Sequence, residues 1–223
     1  MDSKSLQPKL GDDLKSLLAD HQMYHSDFQI DHFIVIGAGG GTVYGQYKQA
    51  LREVHKRYRG LKDLYIQHKL KVIDVQELNR PPDSDVYQRM RDKVKLMQHR
   101  MQLEEIELNI ADTEREFLRF FAHAKALKAR LGDLTAERRA ELDAEMWVHR
   151  IKSQAAMEMM THGQIAESTC MMLYAIQPDA RKGILRDLRN RPELVDWFGE
   201  SYLPLPPHET EPSVDVRKLV EEP

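Results

Sequence analysis

Apolar residues recur at spacings of three and four along most of the chain, which is the pattern of amphipathic helices. From Val43 to about Val72 they form one continuous stripe. A second stretch, from Ser84 to Leu131, contains neither proline nor glycine. A third follows Thr135, a typical N-cap residue, and ends before Gly163. The pattern therefore predicts a mainly α fold.

The longest predicted helix carries a coiled-coil repeat in its second half, where core positions are alternately three and four residues apart. Its candidate seam residues are Leu103, Ile106, Ile110, Phe117, Phe120 and Leu127. The first half has a separate stripe, out of phase with this seam, formed by Met90, Val94, Met97 and Met101. We expect both faces to be covered, either by a second helix of the same chain or by another copy of it.

We predict that the partner within the chain is the next helix, 136–162. The connection between the two helices is short, and short connections favour antiparallel neighbours. Shorter helices are predicted over 164–176, 179–190 and 192–198. The predicted fold is thus a long antiparallel helical hairpin, a coiled coil, with short C-terminal packing helices.

The two ends of the chain differ from this helical body. Leu14–Leu18 is weakly amphipathic and predicts a short helix or an arm. The alternating segment Phe28–Ile36 predicts a short N-terminal strand, and Gly37–Gly41, with four glycines in five residues, predicts a loop. The tail from Gly199 is rich in proline and acidic residues. The predicted organisation is an arm with strand and glycine-rich loop (1–41), a basic helix (42–80), the hairpin (83–162), packing helices (163–198) and an extended acidic tail (199–223).

Composition limits the possible functions of this 223-residue chain. Its formal net charge of -3 excludes a uniformly basic surface, although a local basic patch remains possible. The single cysteine, Cys170, excludes an intramolecular disulfide and a multi-cysteine zinc site. The chain lacks a run of ~20 apolar residues and an apolar leader. We therefore expect a cytoplasmic protein without membrane contact, in the host cytoplasm if it is viral.

Enzymatic and ligand-binding motifs are weak. The spacing Gly37-x-Gly39-x-x-Thr42 approaches a dinucleotide fingerprint, but no later βαβ pattern follows it. A nucleotide binder using this loop stays open as an alternative, and a hinge is the other interpretation. His21 and His25 have the spacing of a helical metal pair without a completing ligand. We predict no catalytic residue, cofactor or metal site.

A basic patch is concentrated in residues 42–72, which hold eight basic and two acidic residues. Cations at helical spacing can neutralise phosphates along a nucleic acid. The candidate nucleic-acid-binding residues are Lys48, Arg52, Lys56, Arg57, Arg59 and Lys62. The alternative is a solvated face that pairs with the acidic run between Glu104 and Glu116.

The order of these parts has a counterpart in a known class of proteins. The basic helix contains YGQYKQALREVHKRYRGL (44–61) and precedes the heptad segment 103–131. This layout, over roughly residues 42–175, resembles the small-terminase class of DNA-packaging adaptors in tailed bacteriophages. The resemblance implies a non-enzymatic homo-oligomer that holds duplex DNA and contacts a motor or scaffold protein, which we expect through the C-terminal tail. The alternative is a structural coiled-coil scaffold that binds only protein.

Overall fold

The computed structural model describes residues 3–25, 42–79, 86–190, 192, 203, 205–207 and 214–221, and it assigns no strand within them. The mainly α fold is confirmed. The helices are α1 (Ser3–His25), α2 (Val43–Leu78), α3 (Val86–Leu131), α4 (Ala136–His162), α5 (Glu167–Ala175), α6 (Pro178–Asn190) and α7 (Val216–Glu221). Within this part of the chain, no helix has an apolar stretch long enough to cross a bilayer.

Local signals set the ends of α3 and α4 as the sequence predicts. Gly132 follows α3 with a left-handed φ of +68°, and its N–H donates to the Lys128 carbonyl at 3.1 Å. Thr135 caps α4 by accepting a hydrogen bond from the Arg138 N–H at 3.2 Å. Gly163 ends α4 with a φ of +69°. Left-handed conformations are inexpensive for glycine, which is why these two glycines end the helices.

Two predictions about the smaller elements need correction. The N-terminal helix α1 has 23 residues instead of the short segment predicted around Leu14–Leu18. Its buried residues Leu14 and Leu17 lie on one face, so packing stabilises a helix that its polar sequence does not favour. The tail is also not extended throughout, because α7 lies within it. Helix α2 continues through Gly60 and beyond residue 72, to Leu78.

Other predictions fall outside the described residues. They are the strand Phe28–Ile36, the glycine loop Gly37–Gly41 and, apart from residue 192, the helix 192–198.

The chain folds as two compact units. The first comprises residues 1–18, 52–122 and 206–223, and the second comprises 19–51 and 123–205.

In the first unit, α2 and α3 lie antiparallel. The Arg57 Nη2 atom is 3.4 Å from Glu116 Oε2, and His68 Nε2 is 3.1 Å from Glu107 Oε1. As residue numbers rise along α2, the numbers of their partners fall along α3. Phe117, in the predicted seam, is fully buried and contacts Tyr58 of α2, with ring centroids 6.5 Å apart.

The partner of α3 in this unit is therefore α2, whereas the apolar pattern favoured the following helix and only the charge-pairing alternative pointed to α2. The contacts join residues that lie 39 to 59 positions apart in the chain. A pattern of neighbouring residues carries no information about pairing at such distances. The long stripe of α2 and the seam of α3 cover each other here.

The second unit contains the apolar core of the C-terminal helices. Ile151 and Ala155 of α4 pack with Leu173 of α5 and Ile184 of α6. The Glu158 carboxylate of α4 accepts hydrogen bonds from the Ala166 N–H and the Thr169 hydroxyl, both at 2.8 Å. The Ala166 N–H precedes α5, so this carboxylate caps the start of that helix.

Helix α7, in the tail, is stabilised by contacts within the first unit. Val216, Leu219 and Val220 of α7 are buried within the first unit. The Arg217 guanidinium lies 5.7 Å from the ring centroid of Tyr65 in α2. Apolar burial and this cation–π contact compensate for the small number of residues in the helix.

Candidate nucleic-acid interface

The six candidate cations of α2 lie in different environments because the helix turns a broad apolar stripe inwards. Tyr47, Leu51, Val54, Leu61 and Tyr65 are all buried on this face. Cations close to the stripe are drawn into internal contacts, and those farther from it face solvent.

Lys48 is an internal cation, which corrects the expectation that it belongs to an exposed basic face. Only 6% of its surface is exposed. Its ammonium donates to Asp143 Oδ1 of α4 at 2.8 Å and lies 4.9 Å from the ring centroid of Tyr44. A buried cation with a carboxylate partner serves the packing of the second unit.

Arg57 is likewise engaged inside its own chain. It forms ion pairs with Glu53, one turn earlier in α2, and with Glu116 of α3. Its guanidinium lies 4.1 Å from the ring centroid of Phe120, a predicted seam residue. For Arg57, the geometry agrees with the alternative interpretation, in which the basic helix pairs with the acidic run.

The hydroxyl of Tyr65 adds to this internal pairing. The Tyr65 hydroxyl donates to the Glu114 carboxylate. Burial, and then the bond to Glu114, raise the pKa of this hydroxyl, so it remains a donor. Arg52 is half-buried, and burial lowers the pKa of its guanidinium, which nevertheless remains charged at neutral pH.

Three candidates, Lys56, Arg59 and Lys62, are exposed to solvent. All three belong to the first unit, and successive members are one turn of α2 apart. The Lys62 ammonium lies 4.7 Å from the ring centroid of Tyr58, which holds its side chain along the helix. We call this set the α2 cation row.

Next to the α2 cation row is a small cleft of about 220 Å³. Its lining includes Lys62 and Lys69 together with Tyr65, Ile66 and Val220. The two lysines place positive charge at this cleft, which adds to the basic character of the same side of α2.

The predicted seam residues of α3 are buried to different degrees. Phe117 and Leu127 are fully buried, whereas Leu103, Ile106, Ile110 and Phe120 are half-buried. The separate stripe in the first half of α3 is open to solvent. We call it the α3 outer stripe: Tyr87, Met90, Val94, Met97, Met101 and Leu108, each 53% to 75% exposed.

Sequence reasoning identified four members of the α3 outer stripe and missed Tyr87 and Leu108. Tyr87 precedes Met90 by three positions, and Leu108 follows Met101 by seven. Both continue the heptad spacing, so the signal was present in the sequence. Asp143, the partner of Lys48, had no such signal, since it is 95 positions away.

In the part of the chain that the structure describes, no group of three or more His, Cys, Asp or Glu side chains could hold a metal ion. Comparisons of the chain with models of protein families, with characterised proteins and with solved structures gave no match.

Proposed function

We propose that this chain is a non-enzymatic helical adaptor that self-associates and contacts nucleic acid through the α2 cation row. The observation that carries the proposal is the solvent exposure of Lys56, Arg59 and Lys62 on one unit, while Lys48 and Arg57 are engaged internally. The internal pairs hold α2 in place, and the exposed cations lie along the helix so fixed.

The binding we propose is electrostatic. Each cation that neutralises a phosphate releases condensed counterions, so affinity falls steeply as salt rises. Such contacts position a helix on a phosphate backbone without reading its sequence. We take duplex DNA as the nucleic acid, and DNA packaging as the most specific form of the proposal, on the strength of the small-terminase resemblance alone.

A helical hairpin is the frame that we propose for this adaptor. Leu131 and Leu134, at the connection between α3 and α4, pack against Leu142 and Met146. These contacts support an antiparallel arrangement of the end of α3 and the start of α4. In the same proposal, the acidic tail engages a motor or scaffold protein.

Charge reversal of the α2 cation row tests the nucleic-acid proposal. We expect the triple variant Lys56→Glu, Arg59→Glu, Lys62→Glu to lose duplex binding in fluorescence anisotropy. The slope of log affinity against log salt for the wild-type chain should exceed that of any residual binding by about 2–3. The matched control is Lys182→Glu, Arg186→Glu, Arg189→Glu, the same charge change on exposed positions of α6.

A triple variant that binds duplex as tightly as the control would contradict the proposal. The second candidate function would then stand, namely a scaffold that binds only protein. The observation that favours this second candidate is the α3 outer stripe, an apolar surface of the kind that marks protein interaction sites.

A further inference from the structure

The α3 outer stripe has the spacing of a coiled-coil interface. Its members are separated by three, four, three, four and seven residues: the first five occupy successive core positions of a heptad repeat, and the last step passes over Glu104. The seam that packs on α2 is a different set of residues, including Ile110 and Phe117. Helix α3 therefore has two apolar faces. One is covered within the chain, and the other is exposed over about six turns.

Charges flanking this surface are segregated along α3. Residues 87–102 contain five basic residues and one acidic residue. Residues 103–108, at the other end of the stripe, contain three acidic residues and no basic residue. One end of the α3 outer stripe is thus positive and the other negative, so the surface is complementary to itself after a half-turn rotation.

We propose that the α3 outer stripe is a homodimer interface, in which two copies of α3 pack antiparallel around a two-fold axis between Met97 and Met101. The inference rests on the self-association part of the proposed function and is independent of nucleic acid. A two-fold interface uses the same patch on both copies, so the patch must be self-complementary, as this one is.

The charges favour the antiparallel direction over the parallel one. In the antiparallel pair, Met97 faces Met101 of the other copy and Met90 faces Leu108. Arg91 and Lys93, beside Met90, then lie near Glu105 and Glu107 of the other copy. A parallel pair in register would set basic segment beside basic segment and acidic beside acidic, which is destabilising.

The residues at the centre of the interface are suited to this role. Methionine is flexible and polarisable, and it fills irregular spaces between helices. The Glu107 carboxylate accepts a hydrogen bond from His68 Nε2 of its own chain, and its side chain remains 55% exposed. It can therefore contact a second partner without giving up the first.

The mass of the protein in solution tests whether the α3 outer stripe holds two copies together. We expect light scattering to give twice the chain mass for the wild type and a single-chain mass for Met97→Glu, Met101→Glu. The matched control is Met160→Glu, Met171→Glu, two exposed methionines of the second unit, which should remain dimeric. Circular dichroism spectra should show the same helix content in all three proteins, because none of these side chains is buried within a single chain.

Cysteine cross-linking tests the direction of packing. The native Cys170 is replaced by serine, and Met90→Cys and Leu108→Cys are then made as separate proteins. A disulfide needs Cα atoms within about 7 Å. We expect a cross-linked dimer on oxidation of the mixture, containing one chain of each kind, and no cross-linked dimer from either protein alone.

Three results would overturn the inference. They are a single-chain mass for the wild type, an oligomer that survives the Met97→Glu, Met101→Glu substitutions, and a disulfide that forms in either single protein or fails in the mixture. Duplex binding measured on the same variants separates this inference from the nucleic-acid proposal. If a monomeric variant still binds DNA, nucleic-acid binding does not depend on the dimer. If the protein is a dimer that does not bind DNA, the nucleic-acid proposal fails and the homodimer interface stands.

Discussion

The two halves of α3 follow the same heptad spacing but lie in opposite environments. In the second half, Phe117 and Leu127 are completely buried. In the first half, Met97 and Met101 are more than 60% exposed. Spacing along a helix thus shows that a face needs a partner, and it does not show whether the partner is in the same chain.

The cations of α2 show the same contrast. Lys48 and Lys56 are two turns apart on one helix, yet the first pairs with Asp143 and the second faces solvent. Identical side chains therefore have different roles: one supports the packing of its unit, and the other is available to a ligand. Substitutions at these positions should therefore distinguish residues with partners inside the chain from residues that contact an external ligand.

The largest effect is expected when a buried side chain in the second half of α3 is shortened. Phe117→Ala should lower the free energy of unfolding by about 3–5 kcal/mol, because it leaves a cavity among aromatic side chains. Met97→Ala should change it by no more than about 0.5 kcal/mol. Urea unfolding in dilute solution, where the proposed dimer would dissociate, checks both. Equal losses of unfolding free energy in the two variants would show that the two halves of α3 are buried to the same extent.

Removal of the internal partner of Lys48 should have a smaller effect on stability. Asp143→Ala should cost about 1–3 kcal/mol, since it leaves a buried ammonium without its carboxylate. Duplex affinity should not fall. Lys56→Ala should show the reverse, with unchanged unfolding and weaker duplex binding. Loss of binding in Asp143→Ala at temperatures where the protein is folded would argue against this division.

The sequence allowed α4 and the end of α3 to be predicted because the signals there are local. Thr135, Gly132 and Gly163 act through hydrogen bonds to residues three or four positions away. Pairing between α2 and α3 was predicted only as the charge-based alternative, since apolar pairing depends on which of several stripes meet. The same reason explains why Lys48 was wrongly assigned to an exposed basic face, since its environment is set by Asp143.

Two glycines should respond to the same substitution with opposite signs. Gly163→Ala should destabilise the protein by about 1 kcal/mol, because alanine is strained at a φ of +69°. Gly60→Ala should stabilise it by about 0.5–1 kcal/mol, since this residue lies inside α2 and an added Cβ meets no atom within 4 Å. Thermal melts of the two variants check the pair, and shifts of the same sign would contradict it.

Charge exchange across the proposed dimer should have a modest effect. Glu105→Arg should weaken the dimer about two- to tenfold, because surface ion pairs contribute little each and the two-fold axis repeats them. The double variant Arg91→Glu, Glu105→Arg should restore the affinity. Sedimentation equilibrium measures the dissociation constants. If the double variant does not restore the dimer affinity, Arg91 and Glu105 are not partners.

The smallest effect is expected on the pH dependence of stability, when the Glu158 carboxylate that caps α5 is replaced. Burial disfavours the charge of Glu158, but hydrogen bonds from Ala166, Thr169 and Gln154 outweigh it and hold its pKa below the usual range. Its contribution to stability is therefore present above the unfolded pKa of about 4.3 and is lost as pH falls through the folded pKa. Glu158→Gln should flatten that acid-side decline in unfolding experiments, and an unchanged decline would exclude the effect.

Methionine methyl NMR with a soluble paramagnetic agent tests most directly whether a second copy covers the first half of α3. If the homodimer forms, the methyl signals of Met90, Met97 and Met101 are protected at high protein concentration and broaden on dilution. Met157, Met160 and Met171, which are also exposed in a single chain, should broaden at both concentrations. Equal broadening of all six signals at every concentration would contradict the account.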